Sequence, residues 1–126
     1  MRKKKIGNIK VPKGSIIQPH ELMVATILSW SGNDVEFIPV RNIPTPDIKF
    51  LGKEWEIKSP LGDSSRTIEN NFRNALKQSS NIIIDLSRIK QTEEKCLREV
   101  KRQITLTKTV KEVIVILKSH KILKLK

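Results

Sequence analysis

Between Asp47 and Lys58 the chain alternates about a single turn. Ile48, Phe50, Trp55 and Ile57 are apolar, and Asp47, Lys49, Glu54, Glu56 and Lys58 are charged. Side chains alternate across a strand with period two, so the pattern predicts a β-hairpin with one face for a core and the other for chemistry. With Gly52-Lys53 read as a two-residue loop of the Gly-X form, Leu51 pairs with Glu54, Lys49 with Glu56 and Asp47 with Lys58.

Around this hairpin, at 47–59, the remaining elements follow from periodicity and punctuation. Pro19 is well placed as the first residue of a helix to about Ser31, with Leu22, Met23, Ala25, Thr26, Ile27 and Trp30 as a wide apolar stripe. Val35 to Val40 reads as a strand, and Pro39, Pro44 and Pro46 make the following stretch extended and irregular. Ser64 or Ser65 can cap a helix to about Ser79 with Ile68, Phe72, Ala75 and Leu76 inward. The short apolar run Asn81 to Leu86 suits a central strand buried on both faces and reached by a crossover from the hairpin. Thr92, followed by Glu93 and Glu94, opens a helix to about Thr105, and two strands close the chain, Glu112 to Leu117 and Lys121 to Leu125. The expectation is a single α/β (α+β) domain in the order αβββαβ, then αββ, with a mixed central sheet flanked by helices. It divides into a basic N-terminal arm, residues 1–17, and a folded domain, residues 18–126.

Composition limits what such a domain can do. The single cysteine, Cys96, excludes an internal disulfide and a cysteine-based zinc site and suits a reducing compartment. No apolar run approaches the roughly 18 residues a membrane span needs, and the charged start lacks the apolar segment of a signal peptide, so no membrane partner is expected. The net charge of +12 is concentrated at the two ends: Arg2, Lys3, Lys4, Lys5, Lys10 and Lys13 with no acid, and six lysines after residue 107 against Glu112 alone. Lysine-rich ends can serve as solubilising tails, but they also suit a polyanion held by counterion release.

On the hairpin's charged face the chemistry is more pointed. Phosphodiester hydrolysis needs a Lewis acid beside the phosphate, an activated water, and positive charge for the developing oxyanion. Asp47 and Glu56 are hard oxygen ligands that suit Mg²⁺, with Mn²⁺ or Zn²⁺ as alternatives, and Glu21 on the first helix is the third acid. Lys58 can orient or deprotonate the water and offset phosphate charge. The tripeptide acid-x-Lys is weak by itself, since Asp47-x-Lys49, Glu93-x-Lys95 and Glu99-x-Lys101 also match. The competing reading is an exposed hairpin whose Lys49–Glu56 and Asp47–Lys58 pairs are ordinary cross-strand ion pairs.

Pro46-Asp47, eight residues, then Glu56-Ile57-Lys58 in an αβββαβ order resembles the PD-(D/E)xK nuclease superfamily, with its restriction-endonuclease-like core. More narrowly, several segments together resemble the C-terminal tRNase domain of CdiA contact-dependent growth inhibition toxins. They are Glu21 with Val24-Ala25, Pro46-Asp47-Ile48, Trp55 to Pro60, Thr67-Ile68 with Asn71, Phe72, Arg73, Ala75 and Gln78, and Ile83 to Leu86. The resemblance runs from about residue 18 to 105. It implies Glu21, Asp47, Glu56 and Lys58 as the catalytic set, a polar helix 64–79 flanking the active site, and an acidic immunity protein as partner. Those toxin domains end very large secreted proteins, whereas this sequence opens on Met1. Cytoplasmic action in a bacterium, or in a target cell after delivery, is expected.

Ser65, Thr67, Asn71, Arg73, Lys77 and Gln78 recur at helical spacing and can contact phosphate or ribose, against the plainer reading of a solvated helix face. His20 has no second histidine near it to share a metal, and His120 is expected in a turn. With most aromatics at core spacing there is no platform for stacking bases. Two function classes follow: a metal-dependent endonuclease acting on RNA, tRNA by resemblance, or on DNA as a mobile-element enzyme; and a basic nucleic-acid-binding protein without activity. The acids favour the first, because a pure binder gains nothing from acids on the surface that meets phosphate.

Overall fold

The computed structural model describes residues 5–126; Arg2, Lys3 and Lys4 of the expected basic arm lie outside them. Seven strands form one sheet in chain order: β1 (Ile9–Lys10), β2 (Val35–Phe37), β3 (Ile48–Phe50), β4 (Lys53–Lys58), β5 (Asn81–Asp85), β6 (Glu112–Ile116) and β7 (Ile122–Lys124). Three helices connect them: α1 (Pro19–Trp30), α2 (Thr67–Leu76) and α3 (Glu93–Leu106). The sheet is mixed: β4, β5 and β6 are mutually parallel, β1 is parallel to β2, and the remaining pairs are antiparallel. The expected α+β architecture is therefore present. It gains β1 from within residues 1–17, where Gly7 lies so close to Asn33 that a Cβ would fall 2.0 Å from its carbonyl oxygen.

Strand alternation produces two cores, one on each face of the sheet. Trp55, Ile57, Ile83 and Ile114 turn to the layer filled by Val24, Ala25 and Leu28 of α1. Ile82, Ile84, Val113 and Val115 turn to Ile68, Phe72 and Ala75 of α2 and Cys96 and Val100 of α3. The continuous apolar run of β5 is thereby explained: Ile82, Ile83 and Ile84 are all fully buried, with helices on both sides. Each such side chain contributes about 1.5–3 kcal/mol of burial. Thr92 caps α3 by accepting from Lys95 N–H, as expected of its position. Trp30 departs from the predicted core stripe and is 66% exposed at the end of α1. The long β-hairpin expected at 47–59 is present in shorter form as β3 and β4.

The hairpin register differs from the predicted one. Phe50 pairs with Lys53, Lys49 with Glu54 and Ile48 with Trp55, so the two-residue loop is Leu51-Gly52, not Gly52-Lys53. Both loop residues have positive φ, 54° and 74°, the mark of a type I′ turn that matches strand twist. Each partner moves by two residues, and because side chains repeat with period two, every residue keeps its predicted face. Only the cross-strand partners change.

Candidate active site

The change of partners removes the ion pairs that would have neutralised the hairpin acids. Lys49 stands opposite Glu54 in the register, so Glu56 has no lysine opposite it on β3 and pairs instead with Lys58 on its own strand. Where the ladder ends, Asp47 donates its N–H to the Trp55 carbonyl (2.9 Å), and its Oδ2 accepts the N–H of Ile57 (2.8 Å). Asp47 therefore brackets Glu56, bonding to the residues before and after it. Glu56 is 6% exposed, its Oε1 is buried without a hydrogen-bond partner, and its Oε2 lies 3.4 Å from Lys58 Nζ.

Electrostatics follow from this packing. Burial, then the neighbouring Asp47 carboxylate, pushes Glu56 up to about 8, partly offset by Lys58. Glu21 arrives from the first turn of α1, in the opposite layer, and is raised to about 7 by burial and by Asp47, again opposed by Lys58. Asp47 and Lys58 thus act on both Glu21 and Glu56. The site lies where the parallel strand β4 ends, the edge at which open α/β sheets present their ligand sites. An open cleft of about 760 Å³ leads to it, lined among others by Lys13, Glu21, Arg41, Pro46, Asp47 and Gln78.

The donor set suits a hard divalent cation. A buried Glu56 whose proton affinity is raised by burial and by the neighbouring Asp47 carboxylate, with one oxygen lacking a partner, is short of positive charge. Among the described residues, no group of three or more His, Cys, Asp or Glu side chains is placed to hold a metal ion together, so the three acids Glu21, Asp47 and Glu56 do not form a closed ligand set. Mg²⁺ keeps several waters and can be held by one or two carboxylates.

The helix-face candidates are dispersed. Gln78, just beyond α2, lines the cleft with Glu21 and Asp47. Ser65 instead lines a separate groove with Gln91, Lys95 and Arg98 near α3. Arg73 is held by Glu69 at 3.1 Å, Asn71 bonds to the Thr67 carbonyl one turn back, and Lys77 closes the helix as its C-cap. Position after the strands singles out Gln78; periodicity alone groups it with the others.

Sequence reasoning missed a second polar cluster beside the site. Asp85, at the end of β5 and 1% exposed, accepts the Ser59 hydroxyl at 2.7 Å and the Ser87 N–H at 3.0 Å. Arg88 donates from Nε to Ser59 Oγ (2.9 Å) and from Nη2 to the Ser59 carbonyl (2.6 Å). An aspartate at the end of an otherwise apolar strand run was the available signal.

A mixed sheet between helix layers, with acids and a lysine gathered at the end of a parallel strand, defines an α/β domain with a candidate catalytic centre. The chain belongs to the family of contact-dependent growth inhibition CdiA C-terminal domains, whose model matches residues 44–122. Its fold is similar to a chain in the structure described as a CdiA-CT/CdiI toxin and immunity complex from Burkholderia pseudomallei. The TM-score is 0.72 and the identity 24%, covering 95% of this chain and 99% of that one. No curated protein matches the chain significantly. No helix among the described residues is long and apolar enough to cross a membrane.

Proposed function

We propose that this domain is a metal-dependent endonuclease of PD-(D/E)xK type, a toxin module that hydrolyses phosphodiester bonds in RNA, with tRNA as the preferred substrate. The observation that carries the reading is the Asp47–Glu56 carboxylate pair with Lys58 3.4 Å from Glu56 and a Glu56 oxygen buried without a partner. A structural ion-pair hairpin has no use for that arrangement, because two like charges are brought together under burial. Membership of a growth-inhibition toxin family supports the toxin role.

The chain's own groups divide the work. Asp47 and Glu56 would hold the cation, Mg²⁺ or Mn²⁺, which when bound supplies Lewis-acid polarisation of the phosphate and a more acidic water. Lys58 presents its ammonium to the same site, where it orients the attacking water and offsets the charge that builds on the phosphate oxygens. Glu21, with a proton affinity near neutral, can exchange a proton at the mouth of the site. Gln78 and Lys13 line the cleft along which the substrate approaches. Such an enzyme acting in a bacterial cytoplasm, after delivery in the toxin setting, requires an inhibitor. An acidic immunity protein fits a chain of net charge +12; the similar solved structure is itself described as a toxin and immunity complex.

The test is cleavage of tRNA and plasmid DNA side by side. Cutting with Mg²⁺ or Mn²⁺ that stops with EDTA, and is lost in Glu56→Gln and Lys58→Ala while both remain folded, supports the reading. Cutting by both variants at the parent rate removes the catalytic assignment, and cutting of DNA alone removes the RNA preference.

A further inference from the structure

A charged side chain beside the candidate centre is held in place without being neutralised. Arg66, Arg73, Arg98 and Arg102 are each paired with a glutamate, whereas Arg88 makes no ion pair among the described residues. It is fixed by the hydroxyl and the carbonyl of Ser59, which follows Lys58 directly in the chain. The Ser59 hydroxyl in turn donates to the buried Asp85, so its lone pairs are oriented toward the guanidinium. A guanidinium carries five N–H donors, and the two bonds to Ser59 leave the others open. An exposed arginine braced by neutral acceptors keeps its full charge and loses its rotamer freedom, the two properties that an anion-binding group requires.

What Arg88 faces is consistent with an anion. It lines a groove of about 310 Å³ with Gln18, His20, Asp85 and Ser87, at the start of the 12-residue helix α1, whose N-terminal dipole adds positive potential; the Asp85 carboxylate is already occupied by the Ser59 hydroxyl and the Ser87 N–H. The Ser87 hydroxyl is buried there without a partner.

We propose that Arg88 is a phosphate-gripping residue of this site, braced by the positioning residues Ser59 and Asp85, and that it binds a backbone phosphate of the nucleic acid across the start of α1. The inference rests on the substrate being a phosphodiester polymer, as in the proposed function, and it does not require that the polymer be cut.

The experiment is equilibrium binding of bulk tRNA by the full chain in EDTA, followed by fluorescence anisotropy over a range of salt, with thermal unfolding alongside. Arg88→Gln is expected to bind about tenfold more weakly, with the slope of log K against log salt reduced by about one. Arg88→Lys keeps the charge and loses the braced fork, so it should retain the slope while binding several-fold more weakly. Ser59→Ala should weaken binding less than Arg88→Gln. A folded Arg88→Gln with the parent's affinity and slope overturns the proposal, as does equal binding by the Lys and Gln variants, or a parent chain that does not bind tRNA. A parent that binds with this Arg88 dependence yet never cleaves with metal would remove the nuclease reading and leave the phosphate site standing.

Discussion

Asp47 brackets Glu56: its N–H donates to the Trp55 carbonyl and its carboxylate accepts from the Ile57 N–H, the residues on either side of the buried glutamate. Held in this way, Asp47 cannot swing away to relieve the repulsion, and Glu56, packed below the surface, pairs among the described residues with Lys58 alone. The consequences can be measured separately for activity and for stability.

Glu56→Gln keeps the shape of the side chain and removes the charge. Cleavage is expected to fall by at least about a hundredfold, the scale of a lost charge-stabilising or acid–base group. Stability should hold or rise above pH 8, because the amide ends the repulsion with Asp47. A variant that cuts normally, or one that unfolds at every pH, contradicts this account.

Stability should also decline with rising pH. Glu21 sits at about 7 and Glu56 at about 8 in the folded chain, against 4.5 for an unperturbed glutamate. Between these limits the folded chain holds protons that the unfolded chain has released. The stabilisation is therefore complete below about 4.5 and is lost as pH climbs through 7 and 8. Urea midpoints at pH 5, 7 and 9 in EDTA should fall in that order, and Glu21→Gln with Glu56→Gln should flatten the trend. Added Mg²⁺ or Mn²⁺ should recover stability most at the high end, since a cation binds the ionised pair. A profile unchanged in the double variant would place the pH sensitivity elsewhere.

The turn offers a test that leaves the site intact. Leu51 is exposed with φ of 54°, a conformation that costs a branched side chain about 1 kcal/mol and that asparagine tolerates. Leu51→Asn creates the Asn-Gly pair preferred in type I′ turns. It should raise stability by about 0.5–1 kcal/mol in urea unfolding, with cleavage unchanged, whereas Gly52→Ala should lower it. Destabilisation by Leu51→Asn would argue for the Gly52-Lys53 loop instead.

Among the helix-face candidates, position separates one from the rest. Gln78→Ala, in the cleft with Glu21 and Asp47, is expected to reduce tRNA cleavage about tenfold, and Ser65→Ala, in the groove near α3, should leave it within about twofold. Arg73→Ala leaves Glu69 paired with Arg66, so it should change stability little. Equal losses from Gln78 and Ser65 would mean that substrate covers the whole of α2.

The sequence by itself determined the three helices, the strands from β2 onward and the two faces of the hairpin, but not β1 or the outward turn of Trp30. The alternation of Asp47 to Lys58, the proline at the start of α1, the Thr92 cap and the apolar run of β5 are local signals, and local periodicity is what places a residue inward or outward. The same alternation placed Glu56 and Lys58 on one side, opposite Trp55 and Ile57. It could not choose between hairpin registers two residues apart, because both preserve every face and both admit a two-residue loop with Gly52. Packing decided that choice, with Ile48 set against Trp55 and the Trp55 indole N–H donating to the Phe50 carbonyl at 2.8 Å. The decision turned two expected ion pairs into a carboxylate pair. Only the tertiary structure brought Glu21 to that pair from the opposite layer, and joined Ser59 to Asp85 and Arg88 across residues far apart in the chain. Such meetings depend on how strands and helices stack, and no spacing within a single element encodes them.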